Sequence, residues 1–436
     1  MISPDKKYYF HKDKLKWFAF FLAYPFLTVA GISVTFYIFI SMVLKTQGGF
    51  NSLFKIKSWF YHIMIMFLFI AALSLIFAPW QQLRNLNFTS FQLLFQLIYW
   101  VLISFFVMKY YQNIDWNNFL KWLIIGIAIN TIVFYTIDKL KIDLYIIKLF
   151  IANKAARNAL CFQLICIGPF ILHYFKSVKK NKFYYYLSIF LLLAAVLATD
   201  GRAGSIIVIL QCLIFLGRHL FFNNKWIFII LTPLLMLPAL KIDFEPYLIF
   251  LSVKVQPYNP RLASFLIGQQ SSGIEISEDR SILERQMHRS KGIEIFNNYP
   301  FLGVGLGNYS NYDASLDVLY ERAYFRISHF DKNDMNKRNS HSSYVQILAE
   351  MGILGIIFFL LCIIPAILII IFSASMNSFT HAIFLSGVGM LGHFYVISQA
   401  YGAITWLIIG ILNAEVITIL KYKKNIGKYR ELKTIS

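Results

Sequence analysis

The feature that most constrains this chain is a succession of apolar runs, most of them about long enough to cross roughly 30 Å of hydrocarbon. They cover residues 60–79, 91–111, 120–140, 154–175, 183–199, 203–221 and 225–242, then 344–373, 380–398 and 401–420. In lipid each backbone N–H and C=O must be satisfied within the span, so such runs fold as helices. A further run, 17–44, is too long for one simple span and short for two. With 58% hydrophobic and only 14% charged residues, the composition is that of an all-α polytopic membrane protein, and a soluble core is excluded.

The net charge of +20 is read against topology before any partner is inferred from it. Both tails are rich in lysine, with Lys6, Lys7, Lys12, Lys14 and Lys16 at one end and Lys421, Lys423, Lys424, Lys428 and Lys433 at the other. Both are therefore expected in the cytoplasm, and the number of crossings is even. If 17–44 bends back near Pro25 to Gly31, the chain makes about twelve crossings, and Lys45, Lys55, Lys57, Lys176, Lys179, Lys180, Lys182, Arg218 and Lys225 all fall inside. Lys139, Lys141, Lys148 and Lys154 then fall outside, in an apolar stretch read as lying along the interface.

The resulting division is 1–242 for the first membrane helices (about nine crossings), 243–341 for one large outer loop, 342–420 for three further spans, and 421–436 for a basic cytoplasmic tail. From Asp243 to His341 there are 11 Lys and Arg against 12 Asp and Glu, so the basic excess belongs to the cytoplasmic rims. There it orients the protein and faces anionic lipid, and nucleic acid is not an expected partner. Cys161, Cys166, Cys212 and Cys362 all lie in apolar runs, which leaves no disulfide framework or cysteine metal site in the loop. The first run lacks a small-residue cleavage site and reads as a signal anchor.

A loop of this length is usually functional or disordered, and its composition argues for order. ISEDRSILERQMHRSKGIEIFNNY reads as a helix with Ser277 as a candidate N-cap and Pro300 as its stop. Gly303, Gly305 and Gly307 follow as a turn against the membrane surface. GVGLGN lacks the GxGxxG spacing and the flanking strand and helix, so it is not read as a nucleotide loop.

Polar groups on this outer side are the candidates for chemistry. Arg202, in ATDGRAGS, is either an interfacial arginine paired with Asp200 or an anion clamp, since a guanidinium fork matches phosphate oxygens. Arg157 and Asn158 lie at the opening of the run 154–175, where an interfacial anchor serves as well as a second cation. Arg280, Arg285 and Arg289 lie on the loop helix, the last two one turn apart, on what is by default a solvated face. His341 stands just outside an apolar helix, as a helix-end polar group or as a general base, for which imidazole has the right intrinsic pKa. Glu350, nine residues on and inside the apolar run, is either a packing partner neutralised by a buried cation or a functional carboxyl. Beyond the weak pair Asp331 and Asp334 in DKND, no paired acids, HExxH or His/Cys cluster points to a metal, and no cofactor motif is present.

Taken together, RQMHRSKGIEIFNNYPFLGVGLGNYS followed by HSSYVQILAEMGILG resembles the signature of the O-antigen ligase and Wzy-type polymerase superfamily. That signature is an arginine helix, then P-x-x-G-x-G, then H-N-x-x-L-x-x-x-x-E-x-G-x-x-G. GRAGS with Arg202 and RNAL with Asn158 also fit its layout. This chain departs from it at Ser342, where asparagine is usual, and at Arg289, where an aromatic residue is often seen.

The resemblance implies a GT-C type fold, about twelve spans with a large, partly helical periplasmic loop, in a bacterial inner membrane. It implies a metal-independent inverting glycosyltransferase whose donor is an undecaprenyl-diphosphate-linked glycan. Arg202 and Arg285 would bind the diphosphate, with Arg157, Arg280 and Arg289 as further cations, and His341 would activate the acceptor hydroxyl. The choice between Arg280 and Arg285 stays open, with Arg285 preferred for its distance before Pro300. A ligase acting on lipid A-core is favoured for its single late loop. The alternatives are a Wzy-type polymerase, a protein oligosaccharyltransferase, or a transporter of lipid-linked sugars using Glu350 and Glu415.

Overall fold

The computed structural model describes residues 12–23, 28–29, 32–44, 46, 49–54, 58–83, 88–138, 156–178, 182–199, 202–217, 280–315, 340–373 and 377–435. Fourteen α-helices are present among them: α1 Lys12–Leu22, α2 Val34–Val43, α3 Gly49–Leu53, α4 Trp59–Ile76, α5 Phe88–Tyr110, α6 Trp116–Asp138, α7 Ala156–His173, α8 Lys182–Ala198, α9 Arg202–Leu216, α10 Arg280–Asn298, α11 Ser343–Leu361, α12 Ile364–Ile371, α13 Ser378–His393 and α14 Ala403–Ile435. The protein is an all-α polytopic membrane protein. Among the described residues six stretches are long and apolar enough to cross a membrane: Trp59–Ile76, Thr89–Asn113, Trp116–Phe134, Asn158–Ser177, Ser343–Ile371 and Ala403–Tyr422. Large apolar side chains such as Phe95 (69% exposed) and Phe190 (67%) face outward from these helices, as a lipid-facing surface requires.

The helices pack in pairs around one apolar core: α7 on α13, α5 on α14, α1 on α6, and α4 on α11. Trp406, Phe67 and Phe359 interlock at the centre, their rings 5.4 to 6.4 Å apart. Gly410 allows α14 to approach the backbone of Ser104 on α5, because a side chain there would meet the Ser104 Cα at 2.8 Å.

The run 17–44 does double back. Two-residue strands, Thr28–Val29 and Ile32–Ser33, pair antiparallel around the bend, and the Lys14 ammonium on α1 donates to the hydroxyl of Ser41 on α2. Its limbs are 11 and 10 residues, each shorter than a full crossing. The runs 183–199 and 203–221 contain the apolar helices Lys182–Ala198 and Ala203–Leu216, each shorter than the six full-length stretches. The expected span 225–242, the interfacial segment around Lys148, the N-cap Ser277 and the pair Asp331 and Asp334 lie outside the described residues.

The clearest correction concerns 344–373, expected as one continuous helix. Its backbone leaves the helical region at Gly352 (φ 65°, ψ −163°), and a second break separates α11 from α12. The first break is filled by the glycine turn after Pro300. Val304 N–H donates to Ala349 O and Gly305 N–H to Glu350 O, both at 2.9 Å, while Ile353 N–H donates to Pro300 O at 2.8 Å. Groups orphaned by the break thus find backbone partners in the loop, the condition under which irregular backbone survives at membrane depth. Glycine is required on both sides of this joint: a Cβ at Gly303 would strike Ala349 O, and one at Gly352 would strike the Phe301 carbonyl. Both also have left-handed φ, 66° and 65°.

Candidate functional site

The turn that docks into α11 also fixes the end of the molecule where polar groups collect. Asn308, fully buried, accepts from Ser90 Oγ of α5 at 2.9 Å and donates to Val304 O at 3.1 Å. Helix α10 is held above it by Tyr309, whose hydroxyl donates to the His288 carbonyl. Lys291, fully buried, places its ammonium 4.9 Å from the Tyr309 ring centre. Burial raises the Tyr309 phenol pKa, with the Glu350 charge acting in the same direction. Burial also raises Glu294, against the Ser315 N–H and the Lys291 charge, which favour its ionised form.

His341 sits at the entrance to α11 with φ 52°, the one positive φ outside glycine among the described residues. It precedes the cap rather than forming it: Ser342 is the N-cap and its side chain accepts from Val345 N–H. The serines around it form a clamp on the segment that joins α13 to α14. Ser343 N–H lies 2.8 Å from both Phe394 O and Ile397 O, and Ser343 Oγ takes Gln399 N–H at 2.9 Å. Ser340 Oγ lies 3.0 Å from Ser398 Oγ. A non-glycine residue in this region of φ costs on the order of 1–3 kcal/mol and persists only where its neighbours over-determine it. The clamp does that for His341.

Two residues of α10 reach the same place. The His288 ring centre lies 5.4 Å from that of His341. Arg289 stacks its guanidinium 4.1 Å above the Tyr395 ring and donates to the Tyr395 hydroxyl at 2.9 Å. Tyr395 directly follows Phe394, whose carbonyl takes the serine bonds, so Arg289 and His341 are held by the same short segment. Arg289 is therefore partly committed to a protein contact, and it retains N–H donors for an anion.

The other predicted cations are placed by their backbones. Arg202 starts α9 and Arg280 starts α10, with Arg285 one turn and a half further along the latter, while Arg157 is the second residue of α7. Gly204, two residues into α9, packs so closely on α7 that a Cβ there would strike Cys161 Sγ, and that Cβ would lie 3.6 Å from His393 Cε1, next to Phe394. The starts of α7 and α9 thus converge on the end that carries His341. The side chains of Arg157, Arg202, Arg280 and Arg285 lie outside the described residues, whereas Asn158 is described and exposed.

Glu350 is 1% exposed and, among the described residues, meets no lysine or arginine, contrary to the simplest expectation for an intramembrane carboxylate. Its Oε1 takes Tyr309 N–H at 3.3 Å and Gln346 Nε2 at 3.4 Å. Among the described residues no group of three or more His, Cys, Asp and Glu side chains is placed to hold a metal ion. Sequence reasoning missed His288, Tyr395, Lys291 and Gln399. Of these, only His288 and Lys291, flanking Arg289 within HRSK, carried a sequence signal.

Residues 187–360 match the family model described as O-antigen ligase. Over those residues the chain is similar to the O-antigen ligase family. This bears out the resemblance to the O-antigen ligase and Wzy-type superfamily over somewhat under half of the chain, from α8 to α11, with Arg202, α10, the glycine turn, His341 and Glu350 all inside the match. Arg157 and Asn158 lie before it. No curated protein matches the chain.

Proposed function

We propose that this protein is an O-antigen ligase of a bacterial inner membrane, transferring glycan from undecaprenyl diphosphate to a sugar of lipid A-core. Both termini face the cytoplasm and the site faces the periplasm, with residues 243–341 as the periplasmic loop between an N-terminal set of spans and three C-terminal ones. His341 removes the proton from the acceptor hydroxyl as that oxygen attacks the donor's anomeric carbon from the face opposite the diphosphate. The bond from that carbon to the diphosphate oxygen breaks, the electron pair leaves with the lipid diphosphate, and the configuration inverts. Arg202 and Arg285, with Arg157, Arg280 and Arg289 in support, hold the charge that develops on the leaving group. No cofactor or metal ion enters this scheme, and membrane lipid is the surrounding partner.

The observation that carries this reading is the convergence on one segment, 394–399, of a conformationally locked histidine and a loop arginine. The test is deletion of the gene in its host, with lipopolysaccharide and lipid-linked glycans compared by gel and mass spectrometry. Bare lipid A-core, with long polymer retained on undecaprenyl diphosphate, is the expected result. Core capped by one repeat with no long polymer anywhere would make the enzyme a polymerase instead, and unchanged glycans would remove both readings.

A further inference from the structure

Beside the His341 clamp lies an open cavity of about 480 Å³. Its walls come from the start of α5, the glycine turn, the first turns of α11 and the segment before α14. Gln92 and Gln96, one turn apart on α5, face Gln346, Glu350 and Gln399 across it, with Ser310 at the rim. Two exposed amides one turn apart in an apolar span are costly against hydrocarbon, so the stripe they form requires a polar neighbour. The Glu350 carboxyl is nearly fully buried, and its Oε2 takes no hydrogen bond of normal geometry, while the Tyr401 hydroxyl stands close by on the same wall.

Among the described residues the lining contains no lysine or arginine, and a diphosphate placed against these groups would meet a carboxyl. Amides and hydroxyls that both donate and accept, with one carboxyl acceptor and a tyrosine ring, instead match a neutral molecule dense in hydroxyl groups. We infer that this cavity is a subsite for a neutral sugar residue, distinct from the arginines that would hold the diphosphate. The inference deepens the proposed transferase reading and rests on it for the identity of the sugar chain. Its position suits that use: Ser398 and Gln399, which line the cavity, are the residues that bind Ser340 and Ser343 on either side of His341.

Two experiments on the full chain in native membranes test it. The cysteines Cys161, Cys166, Cys212 and Cys362 are all buried, so in a Gln92→Cys variant a membrane-impermeant methanethiosulfonate reads the new thiol. Neutral oligosaccharide released from the host's own surface glycan should slow that labelling several-fold, and inorganic pyrophosphate should leave it unchanged. Protection by pyrophosphate alone, or by neither probe, overturns the inference. This readout needs no turnover, so it can fail or succeed independently of the proposed reaction. In a transfer assay with the wild type active, Gln96→Leu should raise a KM by about tenfold, as expected for losing one or two hydrogen bonds to a ligand. A rise for the acceptor alone assigns the cavity to the acceptor sugar and a rise for the donor alone to the donor's sugar; with both KM values unchanged, the subsite is refuted.

Discussion

The ring of His288 stands 5.4 Å from the ring of His341, centre to centre, with the two planes inclined by 56°. One belongs to the loop helix and the other to the mouth of a membrane helix. The contact joins the two parts of the family motif, and Tyr309 holds the loop side of it through the His288 carbonyl.

His341→Ala is expected to abolish transfer without loss of membrane insertion, because the serine clamp on 394–399 uses none of its side-chain atoms. His341→Gly should be equally inactive with a nearly unchanged unfolding midpoint. Relief of the left-handed φ, about 1–2 kcal/mol, is opposed by the larger unfolded-state entropy of glycine, roughly 0.5–1 kcal/mol. Full activity in either variant would sink the assignment of His341 as base.

Ser343→Ala removes the acceptor for Gln399 N–H and the donor to Ile397 O in a buried setting. A buried group left unpaired costs about 1–3 kcal/mol. The variant should melt earlier and lose activity in parallel, whereas Ser90→Ala, which loses only its contact to Asn308, should affect loop docking more than turnover. Limited proteolysis of the loop separates the two.

Gly303→Ala and Gly352→Ala should both prevent accumulation of folded protein, since each forces a methyl into opposing backbone as well as a left-handed φ. Gly49→Ala is the control. It has φ 49° but nothing near its Cβ position, so it should cost only about 1 kcal/mol. Expression in membranes, followed by fluorescence-detected gel filtration, distinguishes collapse from mild loss.

Arg289→Ala should lower kcat/KM for the lipid-linked donor by about tenfold or more, given that charge-assisted contacts contribute about 1.5–3 kcal/mol. Tyr395→Phe keeps the stacked ring and loses one hydrogen bond, so it should be nearly silent. If both variants are silent, Arg289 is a strut for α10 and takes no part in donor binding.

Glu294 titrates above its ordinary value of 4.5, mainly through burial. A carboxyl raised in the folded state contributes stability that is full below the unfolded pKa and is lost as pH rises through the folded one. Wild-type loop docking should therefore weaken as pH climbs from about 4.5, and Glu294→Gln should lack that component. Identical proteolysis-versus-pH curves for the two proteins would refute it.

Much of this molecule was legible in the sequence because lipid removes alternatives. An apolar run must be a helix, and the lysine-rich ends and the sign-balanced stretch between runs give the expected sidedness. The segment from Arg285 to Gly355 supplied the histidine through its likeness to the superfamily signature, and its apolar face and the stop at Pro300 supplied the loop helix. The break at Gly352 was not readable, since its apolar neighbours look like any other span, and only the arrival of the Pro300 turn makes an interrupted helix stable there. Likewise SHSS reads as a helix start. That its serines grip Phe394 and Ile397, and thereby hold His341 at φ 52°, depends on a segment more than 50 residues away. Local pattern determined which elements form, whereas the backbone partners that fix His341, Arg289 and the Gln92 cavity were decided by long-range packing, where no residue's own neighbours in sequence carry the information.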